Sequence, residues 1–150
     1  MKVKLSDVIN IIETSNAMEE WNYFYDKEKN NFVSFSDEMF SLYENSDGII
    51  DEEMHLLEKI YNDDGTKYIR IPSKYEINEY GIIQEFIDNV NEMEKYKKLM
   101  IAVKGKGAFR KFKDTCYDLN IINEWYEFKN NHFKHFAKQW CLDNNIFFEE

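Results

Sequence analysis

The sequence predicts a helix-rich α+β domain with a small antiparallel sheet, made of a hairpin at about 20–35 and a strand at about 67–71. Three observations predict this fold. Most of the chain carries apolar residues at helical spacing, one stretch alternates aromatic residues across a polar turn, and a short alternating stretch ends at Pro72. One proline and five glycines leave little material for linkers, so residues 1–150 are expected to form a single domain.

The N-terminal part is expected to form a helix and then the hairpin. Ser6 or Asp7 is a suitable N-cap, and apolar residues follow it at helical spacing. Aromatic side chains then alternate from 21 to 25, residues 26–31 are polar, and Phe32 resumes the extended pattern. This pattern predicts two strands joined by a loop of about five residues.

Helix-start signals recur along the rest of the chain. Ser36 and Asp51 are N-cap types followed by acidic residues, which the helix dipole favours in a first turn. Ser73 and Glu76 match the S-x-x-E capping box directly after the strand that Pro72 ends. Asn91 is a further suitable cap. The later helices are expected at about 73–90, 91–103, 108–119 and 122–143, with a possible short strand in the closing NNIFF stretch.

The charge of the chain is unevenly spread. The net charge is -10, yet the residues from Lys95 to Lys113 include eight Lys or Arg and no Asp or Glu. The remaining residues carry 11 basic against 29 acidic side chains. Overall acidity argues against non-specific adhesion to nucleic acid or membranes, so direct nucleic-acid binding is not expected. The aromatic content of 17% excludes the composition typical of disordered proteins.

The sequence also bounds location and redox state. No apolar run reaches the roughly 18–20 residues that span a bilayer, and the N-terminus lacks the pattern of a signal peptide. We therefore expect a cytoplasmic protein without a membrane partner. Cys116 and Cys141 form no CxxC pair, and in a reducing compartment both are expected to be buried thiols rather than a disulfide. Cys116 lies on an apolar stripe, which favours a structural role over that of a nucleophile.

The stretch VKGKGAFRKFKD is the best candidate for a binding site. Two glycines before a helix allow positive φ, and free N–H groups at a helix start beside cationic side chains can hold an anion. The candidate anion- or partner-binding residues are Lys104, Gly105, Lys106, Gly107, Arg110, Lys111 and Lys113. The stretch is not a P-loop, because it lacks G-x-x-x-x-G-K-[ST]. The alternative is a solvated basic face in which Arg110 pairs with Asp114.

Other chemistry has weaker support. His132 and His135 share a helix face, but an H-x-x-H pair without a third ligand in a known pattern does not predict a metal site, and no cofactor is expected. Most carboxylates fall at helix starts and turns, including the NDDG turn at 62–65, which lacks calcium-loop spacing. No serine-nucleophile motif occurs, and the sequence does not select an acid/base pair of carboxylates.

Several stretches resemble an uncharacterised bacterial protein family. They are VKLSDVINIIE, YIRIPSKYEINEYGIIQEFI, AVKGKGAFRKFKDTCYDL and NEWYEF, and together they extend from Val3 to about Ile146. The family is defined by a GKGAFRRFKD-like box followed by a WYxF box. Lys111 stands where the box more often has Arg, which keeps the charge but loses a bidentate fork. The resemblance implies a small bacterial protein and provides no catalytic residues.

Three functional hypotheses remain open. The preferred one is a non-enzymatic binding or regulatory module whose basic turn and helix contact an anionic small molecule or an acidic protein partner. The second is an enzyme that acts on a phosphorylated or nucleotide substrate, with the same residues as an anion clamp. The third is an acidic mimic of nucleic acid that inhibits a DNA- or RNA-binding protein. The sequence leaves the oligomeric state open.

Overall fold

The predicted fold class is confirmed, since helices dominate and the sheet is small and antiparallel. The computed structural model describes residues 2–150, except for the side chain of Glu53. The elements, in chain order, are β1 (Val3–Lys4), α1 (Leu5–Ala17), β2 (Trp21–Asp26), β3 (Asn31–Ser36), α2 (Asp37–Glu44), a 3-10 turn (Glu52–Met54), α3 (His55–Tyr61), β4 (Tyr68–Arg70), α4 (Lys74–Ile77), α5 (Glu79–Asp88), α6 (Met93–Ala102), α7 (Ala108–Asp118), α8 (Ile122–Asp143) and β5 (Phe148–Glu149).

The chain divides into two compact units. The first comprises Met1–Ile77 with Phe136–Glu150, and the second comprises Asn78–His135. That residues 1–150 form a single domain stays a prediction. No helix within residues 2–150 is both long enough and apolar enough to cross a membrane.

The sheet of the first unit has the strand order β3-β2-β4, and both pairings are antiparallel. Trp21 pairs with Ser36 at one end of the hairpin and Asp26 with Asn31 at the other. The buried Asp26 carboxylate accepts hydrogen bonds from the Glu28 and Lys29 amides at 3.0 and 3.1 Å. These bonds close the turn that the polar stretch 26–31 predicts, so the hairpin and its loop are confirmed.

A second, parallel pairing joins β1 to β5, with Val3 opposite Phe148. The short strand expected in the NNIFF stretch at 144–148 begins only at its last residue, since β5 covers Phe148–Glu149, and its partner was not predicted. A two-residue strand shows no alternation from which pairing could be inferred. Because Lys4 is held extended by this pairing, α1 begins at Leu5 rather than at the expected cap Ser6 or Asp7, and Lys4 makes no capping bond through its side chain.

Side-chain caps begin several helices as predicted. The Ser36 hydroxyl accepts from the Met39 amide at 3.2 Å, and an Asp51 carboxylate oxygen accepts from the Met54 amide at 3.1 Å. The capping box is also present. The Ser73 amide donates to the Glu76 carboxylate at 3.2 Å, and the Glu76 amide donates to the Ser73 hydroxyl at 3.4 Å. Each such cap satisfies a backbone donor that the helix leaves unpaired.

Two further expectations about helix boundaries are wrong. Residues 73–90 do not form one helix, because Asn78 has a φ of 54° and separates α4 from α5. The Asn78 side chain then caps α5 by accepting from the Gly81 amide at 3.2 Å. Asparagine tolerates the left-handed region better than most residues, which explains a break that hydrophobic periodicity cannot detect. The N-cap of α6 is Glu92, without a side-chain bond, rather than Asn91.

The second unit is organised around three aromatic rings from α5, α7 and α8. Phe112 and Trp125 are fully buried, and their ring centroids are 4.9 Å apart and nearly perpendicular. Phe86 contacts both rings edge-on at 6.0 and 5.5 Å. Edge-to-face packing of this kind adds about 0.5–1.5 kcal/mol per pair beyond burial. These rings fix α7 from its inner side, and they thereby determine which of its residues face solvent.

Candidate anion-binding site

The turn between α6 and α7 has the backbone geometry that its glycines predict. Gly105 and Gly107 have φ values of 77° and 71°, in the left-handed region where other residues are strained. Gly107 is the N-cap of α7, and the first bond within the helix runs from the Lys111 amide to the Gly107 carbonyl at 2.9 Å. Because glycine has no side chain to cap the helix, the earlier amides of α7 need partners from outside the helix.

The cationic side chains of the site lie at the surface. Lys104, Lys106, Arg110 and Lys111 are exposed, and Lys113 is partly buried. Arg110 Nε lies 4.0 Å from Asp114 Oδ2, at the outer limit of an ion pair, and the Arg110 side chain is 90% exposed. The predicted i,i+4 pair is therefore present, but at that exposure it contributes little.

The lysines of the site make no ion pair with any residue in the described part of the chain. By contrast, lysines elsewhere do find carboxylates: Lys129 Nζ lies 3.0 Å from Glu79, and Lys74 pairs with Glu19. The lysines of the site are thus left without neutralising partners, although the chain has 29 acidic residues. A surface of this kind attracts anions, and the attraction weakens with salt.

The charge difference follows the division into units. The second unit carries ten Lys or Arg and nine Asp or Glu, a formal charge of +1, whereas the first carries nine and twenty, a formal charge of -11. The negative net charge of the whole chain therefore comes from the first unit. The second unit is close to neutral, with its basic side chains concentrated on α6, the turn and α7.

The exposed aromatic residues beside the basic stretch were not predicted. The helical spacing of Phe109, Phe112, Cys116 and Leu119 in the sequence predicts that Phe109 and Phe112 anchor α7 in the core. This is confirmed for Phe112, which is fully buried, and wrong for Phe109, which is 44% exposed. Its ring stacks on Tyr80, with centroids 6.3 Å apart and planes at 20°. Farther along α7, Tyr117 is also exposed, and its hydroxyl lies 3.4 Å from that of Tyr126. The i, i+4, i+8 spacing of 109, 113 and 117 indicates in the sequence that these residues share a helix face, but it does not show that this face is exposed.

The other sequence candidates are placed in structural roles. The His132 ring lies 3.1 Å from a Glu85 carboxylate oxygen, and the side chains that the structure describes include no cluster of three candidate metal ligands. In the NDDG turn, Asp63 accepts from the amides of Gly65, Lys67 and Tyr68 at 3.0–3.2 Å. The carboxylate thus organises the turn, as its composition predicts.

Both cysteines are free and fully buried, as expected. Burial raises the pKa of the Cys116 thiol to about 12 and that of Cys141 to about 11. At neutral pH both stay protonated, and a protonated buried thiol is a poor nucleophile.

Two clefts lie apart from the basic turn. One, of about 490 Å³, is within the second unit, between the end of α5, the start of α6 and α8. Its floor contains Phe86 and Phe128. The other, of about 400 Å³, is in the first unit, where Trp21 and Arg70 are among its lining residues. Neither cleft is lined by a residue from 104 to 113.

Comparison with known proteins places the chain in a family without assigning an activity. A UPF0158 protein of Pseudomonas aeruginosa is 28% identical over 67 residues, which cover 44% of this chain and 44% of that protein. No solved structure matches the chain. The model of the uncharacterised protein family UPF0158 matches residues 10–150, a range that contains the turn and α7. The sequence-based expectation of an uncharacterised family is thus confirmed, and the chain belongs to UPF0158.

Proposed function

We propose that this protein is a non-enzymatic binding or regulatory module of the bacterial cytoplasm. Its basic turn and α7 bind an anionic small molecule or an acidic protein partner through Lys104, Gly105, Lys106, Gly107, Arg110, Lys111 and Lys113. The observation that carries the proposal is the set of exposed lysines that no carboxylate of the described residues neutralises. Charge without a partner in the free protein is available to a partner in a complex.

The backbone of the turn supports the same function. Two left-handed glycines lead into α7, and the amides of its first turn have no side-chain cap. Backbone donors at a helix start, together with nearby cations, favour negative charge at that point. Neither glycine has an atom near the position that a Cβ would occupy. The turn is therefore open enough for an anion to approach the backbone.

The proposal is tested by charge reversal in a ligand panel. The wild-type protein, K106E/R110E and the control K29E/K59E are heated with tripolyphosphate, with nucleotides and with an acidic peptide. Lys29 and Lys59 are exposed, lie outside the site and give the same change in net charge. A ligand of the folded state raises the melting temperature, so wild type and K29E/K59E should respond to the same anion and K106E/R110E should not. Equal responses of all three proteins would refute the site.

A second candidate function is an acidic mimic that inhibits a nucleic-acid-binding protein. It is favoured by the formal charge of -11 in the first unit, since a dense negative surface can compete for a cationic groove. Reversing acids of the first unit would then abolish inhibition, while K106E/R110E would leave it intact. An enzyme acting on phosphorylated substrates is the remaining alternative. This alternative would be supported if the protein converted one of the nucleotides of the ligand panel into a product.

A further inference from the structure

We propose that the ligand of this site is single-stranded nucleic acid, which stacks its bases on the exposed aromatic residues of α7 and places its phosphates on the adjoining cations. This inference rests on the anion site proposed above and assigns to it a polyanionic strand in place of a small anion or an acidic protein. It is carried by the row formed by Phe109, Lys113 and Tyr117, which alternates aromatic and cationic side chains along one flank of the helix. We define these three residues as the α7 row.

The spacing of the α7 row places its rings on one side of the helix. Residues at i, i+4 and i+8 share a face, and the two aromatic residues are about 12 Å apart along the axis. Phe112 and Cys116, which adjoin the row around the helix, are fully buried, whereas Phe109 and Tyr117 are exposed. The row therefore runs along the solvent-exposed border of the buried face. Arg110 lies beside the row, one residue after Phe109, and is almost fully exposed.

Each end of the α7 row is supported by a second aromatic ring. Tyr80 lies under Phe109, and its hydroxyl accepts from Gln84 Nε2 at 2.9 Å and lies 3.5 Å from the Val103 carbonyl oxygen. At the other end, Tyr126 and Tyr117 bring their hydroxyls within hydrogen-bond distance. Rings fixed in this way lose little rotamer freedom when a base stacks on them.

The charge of Lys113, one helical turn away, acts on the hydroxyl of Tyr117. The pKa of Tyr117 is raised, chiefly by the hydrogen bond to Tyr126, and the positive charge of Lys113 partly opposes that rise. A cation beside a stacking ring is the arrangement by which proteins bind single strands, in which bases stack and the phosphates are neutralised.

An acidic protein segment would use the cations of the site but not its exposed aromatic rings. Carboxylates can pair with Lys106, Arg110 and Lys113, but they gain nothing from exposed aromatic faces. The expectation against nucleic acid came from the net charge of the whole chain, and that charge lies in the first unit. Within the second unit, basic side chains slightly outnumber acidic ones. A flat stacking surface also favours unpaired bases over a duplex, whose bases are already stacked.

The test separates stacking from charge. Fluorescence anisotropy is measured with labelled oligouridylate and oligothymidylate of about twelve nucleotides, and calorimetry with polyphosphate of similar length. F109L/Y117L keeps apolar bulk but removes both aromatic faces, and F147L serves as the control because Phe147 is 74% exposed in the first unit. Circular dichroism verifies that each variant is folded.

We expect F109L/Y117L to bind the oligonucleotides about tenfold or more weakly, since one lost stacking contact of about 1.4 kcal/mol has that effect, and to bind polyphosphate as wild type does. F147L should match wild type for both. Three outcomes would overturn the inference while leaving the anion site standing: an unchanged oligonucleotide affinity in F109L/Y117L, tighter binding of duplex than of single strand, or tighter binding of an acidic peptide. If wild type binds no polyanion at all, both the site and the inference fall.

Discussion

The ring of Phe109 is stacked on that of Tyr80 with a centroid distance of 6.3 Å, on the solvent side of α7. Three residues later, Phe112 is fully buried against Trp125. Two phenylalanines of one basic stretch thus have different environments. Phe112 holds the helix in place, and Phe109 is available to a ligand together with the cations around it.

Replacing these two phenylalanines should therefore have unequal effects on stability. Phe112→Ala removes a fully buried ring from the aromatic core and should lower the free energy of unfolding by about 3–5 kcal/mol. Phe109→Ala loses a half-exposed stack and should cost about 1 kcal/mol. Urea denaturation followed by circular dichroism measures both. Equal losses would mean that Phe109 is a core residue after all.

Asn78 should be sensitive to substitution for a backbone reason. Asn78→Ala removes the cap on the Gly81 amide, a loss of about 0.5–2 kcal/mol, and forces alanine into the left-handed region at about 1–2 kcal/mol. Asn78→Gly relieves the backbone strain and should cost less than Asn78→Ala. The comparison uses urea midpoints of the two variants. If alanine is tolerated as well as glycine, α4 and α5 can join into the continuous helix that the sequence suggested.

The two thiols should be unreactive in the folded protein. Because burial raises the pKa of Cys116 to about 12 and of Cys141 to about 11, neither should react with a disulfide reagent at pH 8 before unfolding, and both should react in urea. The reaction is followed by absorbance, with the denatured protein as the positive control. Rapid modification of either cysteine in the native protein would contradict the burial described.

The raised pKa values of the two thiols also determine how the free energy of unfolding changes at high pH. The unfolded chain releases thiol protons near the ordinary pKa of 9.0, whereas the native state retains them to about 11–12. The native state then binds more protons, so the free energy of unfolding should fall as pH rises from about 9 through that range. Replacing Cys141 by Ala should weaken this dependence. An unchanged slope would show that Cys141 does not contribute to it.

Much of the fold could be predicted because its signals are local. The Ser73–Glu76 capping box, the Ser36 cap and the polar hairpin turn each depend on a few neighbouring residues, and each is present. Long-range or conformational features were missed. The pairing of Val3 with Phe148 joins the two ends of the chain, and the left-handed Asn78 interrupts a stretch whose apolar periodicity continues unbroken.

The position and the charged residues of the site were predicted from the sequence, but its exposed aromatic residues were not. The charges and glycines of VKGKGAFRKFKD are visible in the sequence. So is the absence of the P-loop pattern. The sequence could not show which apolar residues on α7 are buried, since Phe109 and Phe112 both fit a helical stripe. That distinction depends on where Phe86 and Trp125 lie, which is a tertiary contact. The separation of charge between units likewise required their boundaries.

The central claim, that the basic turn and α7 bind anions, is tested most directly by the salt dependence of polyanion binding. Affinity for the labelled oligonucleotide is measured across a salt series for wild type, K106E/R110E and K29E/K59E. We predict that wild-type and K29E/K59E affinities fall together as salt rises, and that the slope of K106E/R110E is smaller by about 1.4, the loss of two phosphate contacts on a single strand. Identical slopes and affinities in all three proteins would contradict the claim.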